Sequence, residues 1–127
     1  MPSVVLDASA VLALLANERG AEVVQRALGS AVMSAVNLAE VLTKLGDRGM
    51  PQAEQRTVRM SLGLEIRPFN EASAWTASAL RSATKKHGLS TGDRACLALA
   101  LEEGLPVLTA DRAWSTLDVG VQIRTLR

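Results

Sequence analysis

VVLDASAVL, residues 4–12, is an apolar stretch with a single acidic residue, Asp7, at its centre. The unbroken Val and Leu before Asp7 predict a short buried strand over Ser3–Leu6, because strands covered on both faces carry few polar residues. The Ala- and Leu-rich residues after it predict a helix over Ala8–Asn17. Asp7 therefore lies where a strand passes into a helix. Because burial of an unpartnered carboxylate is costly, its charge needs a partner.

The same succession of short apolar segment and helix recurs along the whole chain. Such alternation predicts a small, mainly parallel sheet with helices on both faces, which is a single three-layer α/β/α domain over residues 1–127. The predicted strands are Ser3–Leu6, Ala31–Met33, Leu64–Phe69, Pro106–Thr109 and Val121–Leu126. The predicted helices are Ala8–Asn17, Gly20–Leu28, Ala35–Leu45, one with Pro51 at its first position that runs to Leu62, a long one from its Asn70 cap to Gly88, Thr91–Glu103, and a short turn over Ala113–Leu117.

Composition excludes several classes of protein. The 127 residues are 48% apolar, which suits one domain, and the net charge of +1 gives no indication of a nucleic-acid partner. With two Trp, one Phe and no Tyr, an aromatic platform for stacked bases is not expected. Cys96 is the only cysteine, which excludes an internal disulfide and fits a reducing cytoplasm. We find no signal peptide and no apolar run of about 20 residues that would span a membrane.

Two acidic residues follow predicted strands. Asp7 comes directly after the first strand, and Asp111 comes shortly after the strand that ends at Thr109. Ligands of open parallel sheets bind outside the carboxyl ends of the strands, so both residues are candidates for a site. Each also has a plain structural explanation, because Asp is a favoured helix N-cap.

Two further acids lie on helices. Ser90-x-x-Asp93 fits a capping box, and the helix that follows is apolar almost all round, which predicts burial and directs Asp93 toward the interior or a cleft. The positive end of the helix dipole favours an ionised carboxylate there. Glu40 lies opposite the apolar stripe of its helix. Taken alone, it is expected to face solvent and to pair with Lys44 four residues later.

The four acids together predict a metal site. Four carboxylates in one cleft would raise one another's pKa, and a bound cation would remove that repulsion. Oxygen ligands without His or Cys favour Mg²⁺ or Mn²⁺ over zinc. The only histidine, His87, lies beside Lys85 and Lys86 and is typical of a surface position. The expected chemistry is therefore metal-assisted hydrolysis.

Each acid also lies in a distinctive local sequence: VVLDASAVLALL (4–15), SAVNLAEVLTKL (34–45), LSTGDRACLALA (89–100) and VLTADRAW (107–114). In this order the segments resemble the PIN-domain ribonucleases, especially the VapC-type toxins of bacterial toxin–antitoxin pairs. The resemblance covers essentially the whole chain. It implies that the strands carrying Asp7 and Asp111 are neighbours and that Ser9 and Thr109 line the site. It also implies that the catalytic, metal-binding set is Asp7, Glu40, Asp93 and Asp111.

The function expected from this resemblance is that of a divalent-metal-dependent endoribonuclease that hydrolyses RNA phosphodiester bonds as the toxin of a toxin–antitoxin system. A cognate antitoxin and a homodimer are the implied partners. Arg94 and Arg112, each next to a site acid, are candidates for contact with the RNA backbone. The alternative is a non-catalytic acidic-site module, either a receiver-like phosphoacceptor or a PIN domain that binds RNA or a partner without cutting. A receiver would need a second acid beside Asp7 and a Lys after a late strand, and the chain has neither.

Overall fold

A sheet of five short parallel strands forms the centre of the protein, whose computed structural model describes residues 1–127. The spatial order of the strands is β3-β2-β1-β4-β5. The chain thus runs from β1 to one side of the sheet and later returns to the other side, so the order reverses between β1 and β4. This reversal point is where open parallel sheets bind their ligands. The strands are β1 (Val4–Leu6), β2 (Ala31–Ser34), β3 (Glu65–Arg67), β4 (Val107–Thr109) and β5 (Ile123–Thr125).

Helices cover both faces of the sheet, as the sequence predicts. The core on one face joins β1 to the first four helices, and the core on the other joins it to the fifth and seventh helices and to Trp114. None of the helices combines the length and the apolar character that a membrane crossing requires. The helices are α1 (Ala8–Leu15), α2 (Ala21–Ala27), α3 (Ala35–Asp47), α4 (Gln52–Leu62), α5 (Glu71–Ala79), α6 (Arg81–Thr84) and α7 (Thr91–Glu103), with 3-10 turns at Leu28–Ser30, Lys85–His87 and Arg112–Thr116.

The two cores explain the unbroken apolar sequence of β1. Val4 and Leu6 point into the core beneath α1–α4, whereas Val5 points into the core beneath α5 and α7. Because successive side chains alternate between faces, a strand covered on both sides has no position for a polar residue. Helix α7 is apolar almost all round for the same reason, since every residue of Ala95–Ala100 is buried.

Most helix ends lie where the sequence predicts them. Ser34, Asn70 and Ser90 each accept a backbone hydrogen bond at the start of α3, α5 and α7, respectively. Pro51 differs slightly, because it is the N-cap of α4 and not its first helical residue.

The prediction of one long helix between Asn70 and Gly88 is wrong. It is broken at Leu80 into α5, the single turn α6 and a 3-10 turn. The break lies in a stretch with several Ser and Thr residues, whose hydroxyls compete for backbone hydrogen bonds. The buried Thr84 hydroxyl, for example, donates to the Leu80 carbonyl at 2.8 Å.

Candidate active site

Asp7 is buried at the carboxyl end of the central strand β1, with 4% of its surface exposed. Its backbone N–H donates to the Leu108 carbonyl of β4 at 3.0 Å, which anchors it at the point where the strand order reverses. Although Asp7 is the N-cap residue of α1, its side chain makes no capping hydrogen bond. The capping explanation therefore does not account for this carboxylate.

Two hydroxyl groups hold one oxygen of that carboxylate. Ser9 Oγ donates to Asp7 Oδ2 at 2.6 Å, and Thr109 Oγ1 donates to the same oxygen at 2.9 Å. Asp7 Oδ1 accepts no hydrogen bond from the protein and is not completely buried. One oxygen is thus fixed by the fold, and the other is left open to a ligand.

The hydroxyls are themselves fixed by the loop after β4. Ser9 Oγ accepts the Ala110 N–H at 2.9 Å, and Thr109 Oγ1 accepts the Asp111 N–H at 3.0 Å. Each hydroxyl therefore donates to Asp7 and accepts from the backbone. This network joins the first turn of α1 to the end of β4, and it places Ser9 and Thr109, which the sequence predicts to line the site, in contact with Asp7.

The surroundings of Asp7 raise its pKa from the ordinary 3.8 to about 6. Burial is the main cause, the hydrogen bonds from Ser9 and Thr109 oppose it, and the negative charges of Asp93 and Glu40 raise the pKa further. The charges of Asp93 and Glu40 are therefore within electrostatic reach of the Asp7 carboxylate. A bound cation would offset both the burial and the repulsion.

Glu40 is half-buried and is turned toward this site, so the expectation of a solvent-facing Glu paired with Lys44 is wrong. The buried stripe of α3 is Asn37, Val41 and Leu45, which brings Glu40 to about 100° from its centre at helical spacing. The Glu40 carboxylate accepts a 2.7 Å hydrogen bond from Asn37 Nδ2 and lies against Gly92.

Asp93 occupies the first turn of α7, and its capping box with Ser90 is present as predicted. Asp93 Oδ2 accepts the Ser90 N–H at 3.0 Å, while the Ser90 hydroxyl accepts the Asp93 N–H at 3.1 Å. The carboxylate is half-buried, and its charge reaches Asp7. Capping and lining the site are therefore compatible for this residue.

Asp111 stands apart from the other three acids. It is exposed, and its Oδ1 accepts the Ala113 N–H at 3.0 Å, so its side chain serves as the cap of the 3-10 turn. Its charge is not among those that raise the pKa of Asp7. In this structure no group of three or more His, Cys, Asp or Glu side chains is arranged so that it could hold a metal ion. Asp93 and Glu40 are thus near enough for their charges to act on Asp7, whereas Asp111 is not among the charges that do.

The two arginines next to site acids differ in their surroundings. Arg94 is half-buried on α7, where Nη1 donates to the Ala77 carbonyl at 2.9 Å and Nη2 donates to the Thr91 hydroxyl. Arg112 is exposed, and its guanidinium makes no hydrogen bond. Neither forms an ion pair with an acid.

The residues of the site fit a hard divalent cation. Both side chains that are hydrogen-bonded to Asp7 present oxygen, and Asp7 Oδ1 has no hydrogen-bond partner. The one cysteine close to the acids is buried, and burial together with the charges of Asp7, Asp93 and Glu40 raises the pKa of the Cys96 thiol well above its usual value. The His87 ring is hydrogen-bonded through Nε2 to the Thr116 hydroxyl at 2.9 Å. Softer metals would therefore lack their preferred ligands.

Asn37 and Gly92 are the residues of this site that the sequence reasoning missed. Asn37 is fully buried and donates to both the Glu40 carboxylate and the Gly92 carbonyl. A usable signal was present, because Asn37 is a polar residue four positions before Val41 on the buried stripe of α3. Gly92 gives no comparable signal in a single sequence.

Comparison with known proteins identifies the family. The model of the PIN domain family matches residues 4–120. The chain therefore belongs to the PIN domain family. Curated protein sequences gave no match.

Solved structures with the same fold include bacterial toxin–antitoxin proteins. DNA-bound VapBC from Salmonella typhimurium has a TM-score of 0.78 at 17% identity and covers 100% of both chains. A toxin–antitoxin complex from Klebsiella pneumoniae has a TM-score of 0.74 at 21% identity, covering 98% of each chain. The sarcin-ricin loop cleaving toxin VapC20 from Mycobacterium tuberculosis has a TM-score of 0.71 at 18% identity, covering 94% of this chain and 99% of that one. These similarities establish the shared fold.

Proposed function

We propose that this PIN domain is a divalent-metal-dependent endoribonuclease that acts as the toxin of a toxin–antitoxin pair. The observation that carries the proposal is the carboxylate of Asp7, buried at the reversal point of the sheet with Oδ2 held by two hydroxyls and Oδ1 open. Glu40 and Asp93 add negative charge beside it. Such an arrangement is costly to a fold unless a cation binds there.

The chain's own residues have distinct roles in this proposal. Asp7 would hold the metal, and the hydrogen bonds from Ser9 and Thr109 to Oδ2 fix the orientation of its carboxylate. Glu40 and Asp93 would complete the site or orient the attacking water. Asp111 would take part in the site only if its carboxylate gave up the hydrogen bond that it accepts from the Ala113 N–H. When bound, Mg²⁺ or Mn²⁺ would supply the positive charge that makes water a better nucleophile and offsets charge on the phosphodiester.

Contacts to RNA are expected to be electrostatic. Trp114, the aromatic residue of the loop after β4, is 1% exposed and therefore cannot stack on a base. Arg112 is exposed beside Asp111 and presents an unpaired guanidinium, which suits contact with a phosphate. Arg94 is the second candidate, although its present bonds to α5 would have to be exchanged for that contact.

An antitoxin partner and a homodimer belong to the same proposal. The similar structures from Salmonella typhimurium and Klebsiella pneumoniae are a VapBC assembly and a toxin–antitoxin complex, and VapC20 cleaves the sarcin-ricin loop. These relatives support an RNA substrate and a protein that restrains the nuclease. We propose that the chain acts in the cytoplasm, where it would encounter both an RNA substrate and an antitoxin.

The test is cleavage of total RNA by the purified chain without partner, in Mg²⁺ or Mn²⁺ and in EDTA. We expect a few discrete products that disappear with EDTA and in Asp7→Asn. Asp118→Asn is the matched control, because it removes an exposed carboxylate outside the site. Cleavage by Asp7→Asn at the rate of the unaltered chain would overturn the mechanism. Binding of RNA without any cleavage would instead identify a PIN domain that does not cut.

A further inference from the structure

Asn37 lies on α3 and is completely buried on the side of that helix that faces the start of α7. Its Nδ2 donates at 2.7 Å to Glu40 Oε1 and at 2.9 Å to the Gly92 carbonyl. Both partners are acceptors, so the amide nitrogen must point toward them, and the opposite assignment would place three acceptors together. The side chain therefore has one orientation, which is set by Glu40 and Gly92.

The other end of the Asn37 amide is unsatisfied. Oδ1 is buried and accepts no hydrogen bond. An unpaired buried polar atom destabilises the folded state, and an apolar residue on the stripe of α3 would avoid that cost. Because packing does not account for Asn37, the explanation must lie in what Nδ2 holds.

Gly92 is the second half of the arrangement. A Cβ at this position would lie 2.6 Å from the carboxylate atoms of Glu40, closer than real Cβ contacts allow. The absence of a side chain thus lets the Glu40 carboxylate lie directly against the backbone of α7. Asp93 is the next residue, so this contact determines where Glu40 stands relative to the other site acids.

We propose that Asn37 is a positioning residue that, together with Gly92, fixes the Glu40 carboxylate in the acidic site. Asn37 acts only through Glu40 and does not touch metal or substrate. The inference rests on the proposed function insofar as Glu40 binds the metal or orients water. Without these contacts, the half-buried Glu40 would be free to turn to solvent, because it lies about 100° from the centre of the buried stripe of α3.

The test is a double-mutant cycle read out by Mn²⁺ affinity, measured by calorimetry on the full chain. We expect Asn37→Ala to weaken Mn²⁺ binding about 10- to 100-fold, the range typical of residues that orient a metal ligand. Glu40→Gln should weaken it at least as much. In the double variant, Asn37→Ala should add nothing to Glu40→Gln. A purely structural role would instead give effects that multiply.

Gly92→Ala provides an independent variant should Asn37→Ala fold poorly. It should displace Glu40 and weaken Mn²⁺ binding similarly. Gly29→Ala is its matched control, because a Cβ there meets nothing within 4 Å. Asn70→Ala, which removes the cap of α5, controls for a general loss of stability and should leave Mn²⁺ affinity unchanged.

The outcomes separate the two proposals. The positioning role is overturned if Asn37→Ala binds Mn²⁺ normally while Glu40→Gln binds it more weakly. Gly92→Ala takes the place of Asn37→Ala if that variant does not fold. This result leaves the proposed function intact. Normal affinity in both Glu40→Gln and Asp7→Asn overturns the metal site itself. Multiplicative effects in the double variant also overturn the positioning role.

Discussion

Thr109 Oγ1 donates a 2.9 Å hydrogen bond to Asp7 Oδ2 across 102 residues of sequence. The bond joins the carboxyl ends of the neighbouring strands β1 and β4. The same hydroxyl accepts the Asp111 N–H, so one side chain fixes the central carboxylate and the loop that carries the fourth acid.

Replacement of Thr109 by Val tests this relationship. Val preserves the shape but leaves a buried carboxylate oxygen with one donor fewer and the Asp111 N–H unpaired. We expect a loss of about 1–3 kcal/mol in the free energy of unfolding, measured with urea at pH 7 in EDTA. Thr109→Ser keeps the hydroxyl and should lose less. Equal stability of Thr109→Val and the unaltered chain would mean that this bond is not formed in solution.

The raised pKa of Asp7 predicts a characteristic dependence of stability on pH. Between 3.8 and about 6 the unfolded chain releases the Asp7 proton while the folded chain retains it, so stability falls as pH rises through this window. The shift corresponds to about 3 kcal/mol at neutral pH. Urea unfolding in EDTA from pH 4 to pH 7 should show this fall in the unaltered chain relative to Asp7→Asn. Parallel curves for the two proteins would contradict the raised pKa.

Divalent metal should reverse that loss of stability. A ligand at 100 times its Kd stabilises a folded protein by about 2.7 kcal/mol, and only the ionised Asp7 can bind. We therefore expect Mn²⁺ to raise Tm at pH 7.5 by more than at pH 5, as measured by scanning calorimetry. Asp7→Asn should show little response at either pH. An equal rise of Tm in Asp7→Asn would place metal binding elsewhere on the chain.

Asp111→Asn separates the two roles open to Asp111. Asn caps a helix about as well as Asp, so the 3-10 turn should keep its hydrogen bond to Ala113 and Tm should stay unchanged. If Asp111 joins the metal site during turnover, RNA cleavage should fall by about tenfold or more. Unchanged cleavage together with unchanged Tm would restrict Asp111 to its capping role.

Local sequence determined the elements and much of the site's location. The apolar run before Asp7 and the Ser90-x-x-Asp93 box have only short-range requirements, so both could be predicted from neighbouring residues. The strand–helix alternation also placed Asp7 and Asp111 at the carboxyl edge of the sheet. These features depend on backbone propensity, capping and the burial of apolar residues, which neighbouring residues suffice to indicate.

Only the tertiary structure decided what surrounds each acid. Glu40 looks solvent-facing on its own helix, yet its carboxylate accepts a hydrogen bond from Asn37 and lies against the bare backbone of Gly92 on the distant helix α7. Asp7 resembles a helix cap in sequence, yet its side chain is held by Thr109 from a distant strand. Hydrogen bonds between segments far apart in the chain, and the loss of water around a buried carboxylate, depend on packing that no local pattern specifies.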